Sequence, residues 1–163
     1  NDCKYGYSMK DRVMTQTLIK SETKPNLTAD QEEHFFTYSL YPHAGTWREA
    51  GTEQEALNLN VPAKAVAGAA EKDRMEFLSV DKRDVVLETV KKAEDGDGVI
   101  VRLYEVENAR TKVTLHCAET IASAEETDLL ENPIEGALGV KENEIELTIK
   151  PYEIRTIRIR TAK

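Results

Sequence analysis

The strongest constraint on this chain is a two-residue alternation near its end. Ile145-Glu146-Leu147-Thr148-Ile149 and Ile154-Arg155-Thr156-Ile157-Arg158-Ile159-Arg160 set apolar and polar residues on opposite sides of an extended backbone. That period belongs to a strand with one polar face, not to a helix. Thr111 to Ala118 repeats the pattern through Val113, Leu115 and Cys117. Val85 to Lys91 alternates with Val85, Leu87 and Thr89 on one side and Val86, Glu88 and Val90 on the other. Glu76 to Val80 and Val99 to Val106 read as further strands, and Asp95-Gly96-Asp97-Gly98 reads as a turn. Turn signals every 8–12 residues or so predict an all-β, antiparallel sandwich.

The first half carries a looser version of this pattern. Val13 to Ile19 and Phe35 to Tyr41 are predicted strands, with Phe36, Tyr38 and Leu40 on one face. The polar stretch Ser21 to Glu33, with Pro25, is predicted as a long loop between them, a type of loop that often carries function. Thr46 to Glu55 predicts a short helix weakened by Gly51. Leu57 to Val61 alternates as a strand bordered by Pro62. The small residues of Ala63 to Ala70 predict a connection, dividing the chain into residues 1–70 and residues 71–163.

Composition removes several function classes. With 163 residues, 40% hydrophobic and 32% charged, the chain can bury a core and reads as a soluble globular protein. A net charge of −8 argues against nucleic-acid and anionic-membrane partners, which need a basic face. No apolar run approaches the ~20 residues of a membrane span. Asn1-Asp2-Cys3-Lys4 opens no signal peptide, and the missing initiator Met predicts a piece of something longer. Cys3 and Cys117 make neither a disulfide framework nor a metal knuckle, and predict reduced thiols in a cytoplasmic protein.

Few residues suggest chemistry on their own. His34, His43 and His116 share no metal-ligand spacing. Asp95-Gly96-Asp97-Gly98 starts like a calcium loop, but its twelfth position is Val106 rather than Glu, so a turn is predicted. Asp30-Gln31-Glu32-Glu33 is the densest acidic cluster, and it reads first as a solvated charge run. Asn26-Leu27-Thr28 fits a glycosylation sequon, a triplet common by chance. Pro151-Tyr152-Glu153 reads as a structural corner before the last strand. There is no phosphate-cradling glycine loop and no Gly-x-Ser-x-Gly elbow.

Five segments in order resemble one family. Asn1-Asp2-Cys3-Lys4-Tyr5-Gly6-Tyr7 is similar to a stretch of the family 38 glycoside hydrolases, in the α-mannosidase branch shared by bacteria and the cytosolic enzymes of eukaryotes. Ala29 to His43, Leu57-Asn58-Leu59-Asn60-Val61-Pro62, Leu87 to Glu105 and Lys150 to Thr156 resemble later blocks of the same branch. Glu32 departs from the pattern, since the family often has Gly there.

The resemblance implies an N-terminal catalytic barrel, a helix bundle and C-terminal β-sandwiches in the parent. It implies zinc, a carboxylate nucleophile and an acid/base residue in the N-terminal part, and a retaining hydrolysis of terminal α-mannose. None of those residues maps onto this chain, which is expected to hold no zinc, to carry no catalytic residue and to be inactive alone. Residues 1–70 would end the large sandwich, and 71–163 would form a small terminal one. The implied partners are the barrel and bundle of the same polypeptide and a mannose-containing oligosaccharide. A sandwich loop of this family reaches the rim of the active site. Asp30 and Gln31 match it best, with Asp2 and Tyr5 behind them as candidate substrate contacts.

Two other classes compete. An independent carbohydrate-binding module would present aromatic platforms, whereas most of the six Tyr here sit in strand patterns and there is one Trp. A plain structural or oligomerisation domain is the third reading.

Overall fold

The structure, a computed structural model, describes residues 6–69 and 71–162. The chain divides into two compact units, one running through Ala67 and one starting at Gly68.

In the first unit, strands β1 (Tyr7–Lys10) and β2 (Val13–Gln16) pair as an antiparallel hairpin, Met9 opposite Met14. Asp11 and Arg12 close it at φ 50° and 67°. Two successive positive φ values make the mirror-image turn whose twist suits paired strands. The strand expected over Val13 to Ile19 therefore ends at Gln16.

The predicted strand Phe35 to Tyr41 does not form. Phe35, Tyr38 and Leu40 are exposed, and no described strand lies against them. Aromatic alternation becomes a strand only where a neighbouring strand and a covered face receive it. The segment from Ser21 to Glu33 is accordingly irregular backbone that does not lead into a strand.

The helix is α1 (Thr52–Asn60), displaced from the predicted Thr46 to Glu55. Thr46 instead opens a separate turn. Its hydroxyl accepts the Glu49 amide at 3.3 Å, and its own amide donates to the Glu49 carboxylate at 2.7 Å, the reciprocal arrangement of a capping box. Gly51 at φ 65° ends that turn and caps α1, a backbone that suits glycine. Leu57 to Asn60, expected as a strand, continues the helix, and Val61 closes it by donating to Leu57 at 2.8 Å. No described residue of the first unit is buried.

The second unit is a two-layer antiparallel sandwich. Its strands are β3 (Leu78–Val80), β4 (Val85–Lys92), β5 (Val99–Glu105), β6 (Thr111–Cys117), β7 (Ile121–Thr127), β8 (Pro133–Ala137), β9 (Val140–Lys141), β10 (Glu144–Ile149) and β11 (Ile154–Thr161). One sheet has the order β3-β6-β10-β9 and the other β4-β5-β11-β7-β8. The strand pairs of both sheets are antiparallel. The core lies between the sheets. Val101, Leu103, Ile157 and Ile159 face Val113, Leu115, Ile145, Leu147 and Ile149, all essentially fully buried. Those are the apolar positions of the alternating segments, so the period-2 pattern is the pattern of burial.

One alternation is broken. β4 and β5 shift register between Leu87 and Thr89, so Leu87 pairs with Leu103 while Thr89 pairs with Arg102. This bulge at Glu88 sends Thr89 to the face opposite Leu87, where the sequence predicts a single face. It also places Lys91 opposite Ile100, on the outer face of the five-stranded sheet beside Arg158.

Candidate functional site

The predicted rim segment is built by local hydrogen bonds. Asn26 Oδ1 accepts the Thr28 amide at 3.0 Å and the Thr28 hydroxyl at 3.1 Å, starting a side-chain turn. The Gln31 amide donates to the Thr28 carbonyl at 3.4 Å, and Gln31 Nε2 donates to the Leu27 carbonyl at 3.0 Å. Asp30 sits between them at φ 54°, a left-handed backbone that Asp tolerates better than most residues. Its carbonyl accepts Ser21 Oγ at 3.3 Å and lies 3.1 Å from His34 Nε2. The His34 ring stacks on Phe36, centroids 5.9 Å apart.

The result is a compact turn that projects Gln31 to solvent and holds Asp30 half-buried. It brings Asp30, Gln31 and His34 together. Asp2 and Tyr5, the other two predicted contacts, lie outside the described residues. His43 and His116 are elsewhere: His43 neighbours Tyr41, and His116 faces Glu144 across two strands at 3.3 Å. Among the described residues, no three His, Cys, Asp or Glu side chains converge as a metal site would require.

A second cluster, which sequence reasoning missed, lies on the outer face of the five-stranded sheet. The predicted Asp95 to Gly98 turn is present, and its carboxylates answer the arginines of β11. Asp95 Oδ2 is 2.6 Å from Arg158 Nη1, and Asp97 Oδ2 is 2.7 Å from Arg160 Nε. The Asp97 amide, and after it Arg158, holds the Asp95 carboxyl below its ordinary pKa. Arg160 is raised above its ordinary value, chiefly by Asp97 and also by Glu125.

Beside this pair, Glu131 reaches in from the β7–β8 turn at φ 69°, its side chain 5% exposed. Lys91 Nζ is 2.7 Å from Glu131 Oε1, and the Glu94 amide donates to Oε2 at 2.8 Å. Lys91 above all, then the Glu94 amide, depresses the Glu131 pKa. The alternation of β11 does reveal a polar face at Arg158. It does not reveal that the β7–β8 turn folds over that face and leaves Arg158 buried.

Glu105 is a third polar element, 1% exposed at the end of β5. Its Oε1 accepts the amides of Glu107 at 2.7 Å and Ala109 at 3.0 Å, and its Oε2 accepts the Tyr152 amide at 2.9 Å. Burial alone would raise its pKa; the backbone donors of Tyr152, Ala109, Glu107 and Asn108 outweigh burial and leave it lowered. Pro151-Tyr152-Glu153 is thus held as a corner by a buried carboxylate.

Comparison with known proteins decides the family. Residues 84–157, almost the whole of the sandwich, match the model of the glycosyl hydrolases family 38 C-terminal beta sandwich domain. The sandwich, over residues 84–157, belongs to that family. The chain is 37% identical over 164 residues to alpha-mannosidase 2C1 of Mus musculus and 35% identical over 163 residues to alpha-mannosidase 2C1 of Homo sapiens. Each match covers 96% of this chain and 16% of the relative. Alpha-mannosidase G of Dictyostelium discoideum is 34% identical over 169 residues, covering 97% of this chain and 15% of its own length. The chain therefore spans about one sixth of the length of these relatives. Among its described residues, no helix is long and apolar enough to cross a membrane.

Proposed function

We propose that this chain is the C-terminal, non-catalytic part of a retaining α-mannosidase that hydrolyses terminal α-mannose residues. The observation that carries the reading is the in-order match of 96% of this chain to only 16% of each alpha-mannosidase 2C1. The first unit supports it physically. With no buried residue among those described, it has no core of its own to offset the entropy of ordering. It reads as the last part of a larger sandwich whose remaining strands lie in the preceding polypeptide. Residues 68–163 bury a complete core and read as the small terminal domain.

In this reading the catalytic barrel and helix bundle precede the chain in the parent, and hold the zinc, the nucleophile and the acid/base residue. The residues here buttress them and lend the turn at Asp30 and Gln31 to the rim of the sugar site, with Asp2 and Tyr5 as further candidate substrate contacts. Asp30 supplies a fixed acceptor for a sugar hydroxyl, and Gln31 a donor and acceptor together. A cytoplasmic setting suits Cys117, a buried free thiol. The sugar-binding module remains the second reading: Phe35 and Tyr38 are exposed, but the one Trp, Trp47, carries the Arg48 guanidinium 4.5 Å over its ring, where a sugar would stack.

Two measurements test this. The isolated chain, assayed on an aryl α-mannoside with added zinc, is expected to show no turnover, and activity above background would overturn the non-catalytic reading. In the full-length parent, Asp30→Asn keeps a residue that tolerates the left-handed backbone of this position and removes the charge. It is expected to lower kcat/KM on mannosides with the melting temperature unchanged. An unchanged kcat/KM removes the rim role and leaves these residues as scaffold.

A further inference from the structure

The β7–β8 turn is folded twice over. Asp128 Oδ1 accepts the amides of Leu130 at 2.8 Å and Asn132 at 2.9 Å, and Asn132 Nδ2 donates to Asp128 Oδ2 at 3.0 Å. These bonds shape residues 128–132 without help from the sheet. Leu129 and Leu130 at the crest are exposed, 59% and 82%, so apolar packing does not hold the turn down. Polar contacts do. Arg102 Nη2 donates to the Leu129 carbonyl at 3.0 Å, Arg158 Nη2 donates to the Glu131 carbonyl at 3.3 Å, and the Glu131 side chain plugs into the sheet.

The receiving groups belong to the sheet and not to the turn. Lys91 on β4, the Glu94 amide at the start of the next turn and Arg158 on β11 surround the Glu131 carboxylate at 2.7, 2.8 and 4.0 Å. The register places them there independently of Glu131, since Lys91 and Arg158 both sit opposite Ile100. The Arg158 side chain is only 8% exposed, and its Nε–H makes no hydrogen bond. This is a site built of one ammonium, one guanidinium and one aimed amide, with a carboxylate in it.

We propose that Lys91, the Glu94 amide and Arg158 form a binding site for a small monocarboxylate, which the chain fills in cis with the Glu131 side chain. The turn is then a tethered ligand, and removing its carboxylate opens the site to a free one. The charge of the surroundings sets the class. Asp95 at 2.6 Å and Glu125 at 3.8 Å already face Arg158, and the carboxylate of Glu94 pairs with Lys91. Three carboxylates already answer the two cations, so each further negative charge is opposed, and a dianion is opposed more than a monoanion. The planar, two-oxygen shape matches because Oε1 and Oε2 are used separately, one by the ammonium and one by the amide. The site stands whether or not the mannosidase reading holds.

The test is chemical rescue of Glu131→Ala. Its urea midpoint is measured at pH 7 in sodium acetate and in sodium chloride of equal ionic strength, with the Glu94 amide followed by NMR. Acetate at ten times its dissociation constant is expected to raise the folded-to-unfolded ratio about elevenfold over chloride, with a saturable shift of the Glu94 resonance. The wild-type chain, whose site is filled, is expected to show neither. Glu131→Ala combined with Lys91→Met is expected to lose the effect. Sulfate is expected to bind more weakly than acetate, and equal or tighter sulfate binding overturns the assignment to monocarboxylates. If Glu131→Ala does not fold in chloride, Glu131→Gly, which takes the positive φ of this position without strain, is carried through the same titration. Absence of any acetate-specific folding or Glu94 shift in both variants overturns the proposal.

Discussion

Glu105→Gln is the most informative single substitution in the sandwich. The side chains are nearly isosteric, so packing stays constant while the hydrogen-bond chemistry changes. One glutamine oxygen still accepts the Glu107 and Ala109 amides, now as a neutral acceptor in place of a charged one. The other position becomes an NH2 group facing the Tyr152 amide, a donor against a donor. A hydrogen bond to a charged group contributes about 1.5–3 kcal/mol and a neutral one about 0.5–1.5, while a buried donor left without a partner costs about 1–3. Two weakened bonds and one orphaned amide, partly offset by the easier burial of a neutral group, give a loss of about 2–4 kcal/mol. At a urea slope of about 1–3 kcal/mol per molar, the midpoint falls by roughly 1–2 M at pH 7. The pH dependence gives an independent check. The carboxyl is depressed in the folded state, so its contribution is present above the ordinary value of 4.5 and is lost as pH falls through the lower, folded value. Glutamine has no such titration, so the gap between the two proteins narrows on acidification. At pH 7, a loss below the ~0.5 kcal/mol of a single weak neutral hydrogen bond refutes the reasoning, as does a gap that widens in acid.

Other substitutions separate the remaining forces. Ile157→Ala, at a fully buried position between the sheets, is expected to cost about 2–5 kcal/mol by urea denaturation, whereas Met9→Ala at an exposed hairpin position changes stability by about 0.5 kcal/mol or less. Gly98→Ala sets a Cβ 2.6 Å from the Ile159 carbonyl oxygen at φ +99°, and is expected to cost about 1–3 kcal/mol. Gly139→Ala, with open space around it, is expected to leave the midpoint within about 0.5 kcal/mol of wild type.

Legibility in the sequence follows burial. β10 and β11 are readable because Ile145, Leu147, Ile149, Ile157 and Ile159 are the core, and a one-sided core imposes the period of two. β7 is not, because Ile121-Ala122-Ser123-Ala124-Glu125-Glu126-Thr127 offers the core little more than Ile121 and Ala124. Its outward side carries Glu125, which serves Arg158 and Arg160. The first unit misleads in the opposite direction. Phe35 to Tyr41 has strand composition without a partner, and Leu57 to Asn60 alternates yet sits in a helix led by Glu53 and Glu55. The sequence marks Ser21 to Glu33 as a loop, and the internal bonds of the turn at Asp30 follow from Asn26 and Thr28. The Glu131 cluster is invisible because its members are scattered along the chain from Lys91 to Arg158.

The position of β11 has a consequence for how the sandwich is assembled. The last strand in sequence lies in the middle of its sheet, between β5 and β7. Val101 must wait for its partner Ile157, which lies beyond five intervening strands. Before that, β4–β5 and β7–β8 are two separate hairpins, each with an inner edge of unpaired backbone and apolar side chains. On a ribosome those edges are open until the final strand emerges. For that interval they are templates for any other strand within reach. A chain ending before Ile154 would keep both hairpins and lose the strand that joins them, so it is the truncation expected to aggregate rather than fold.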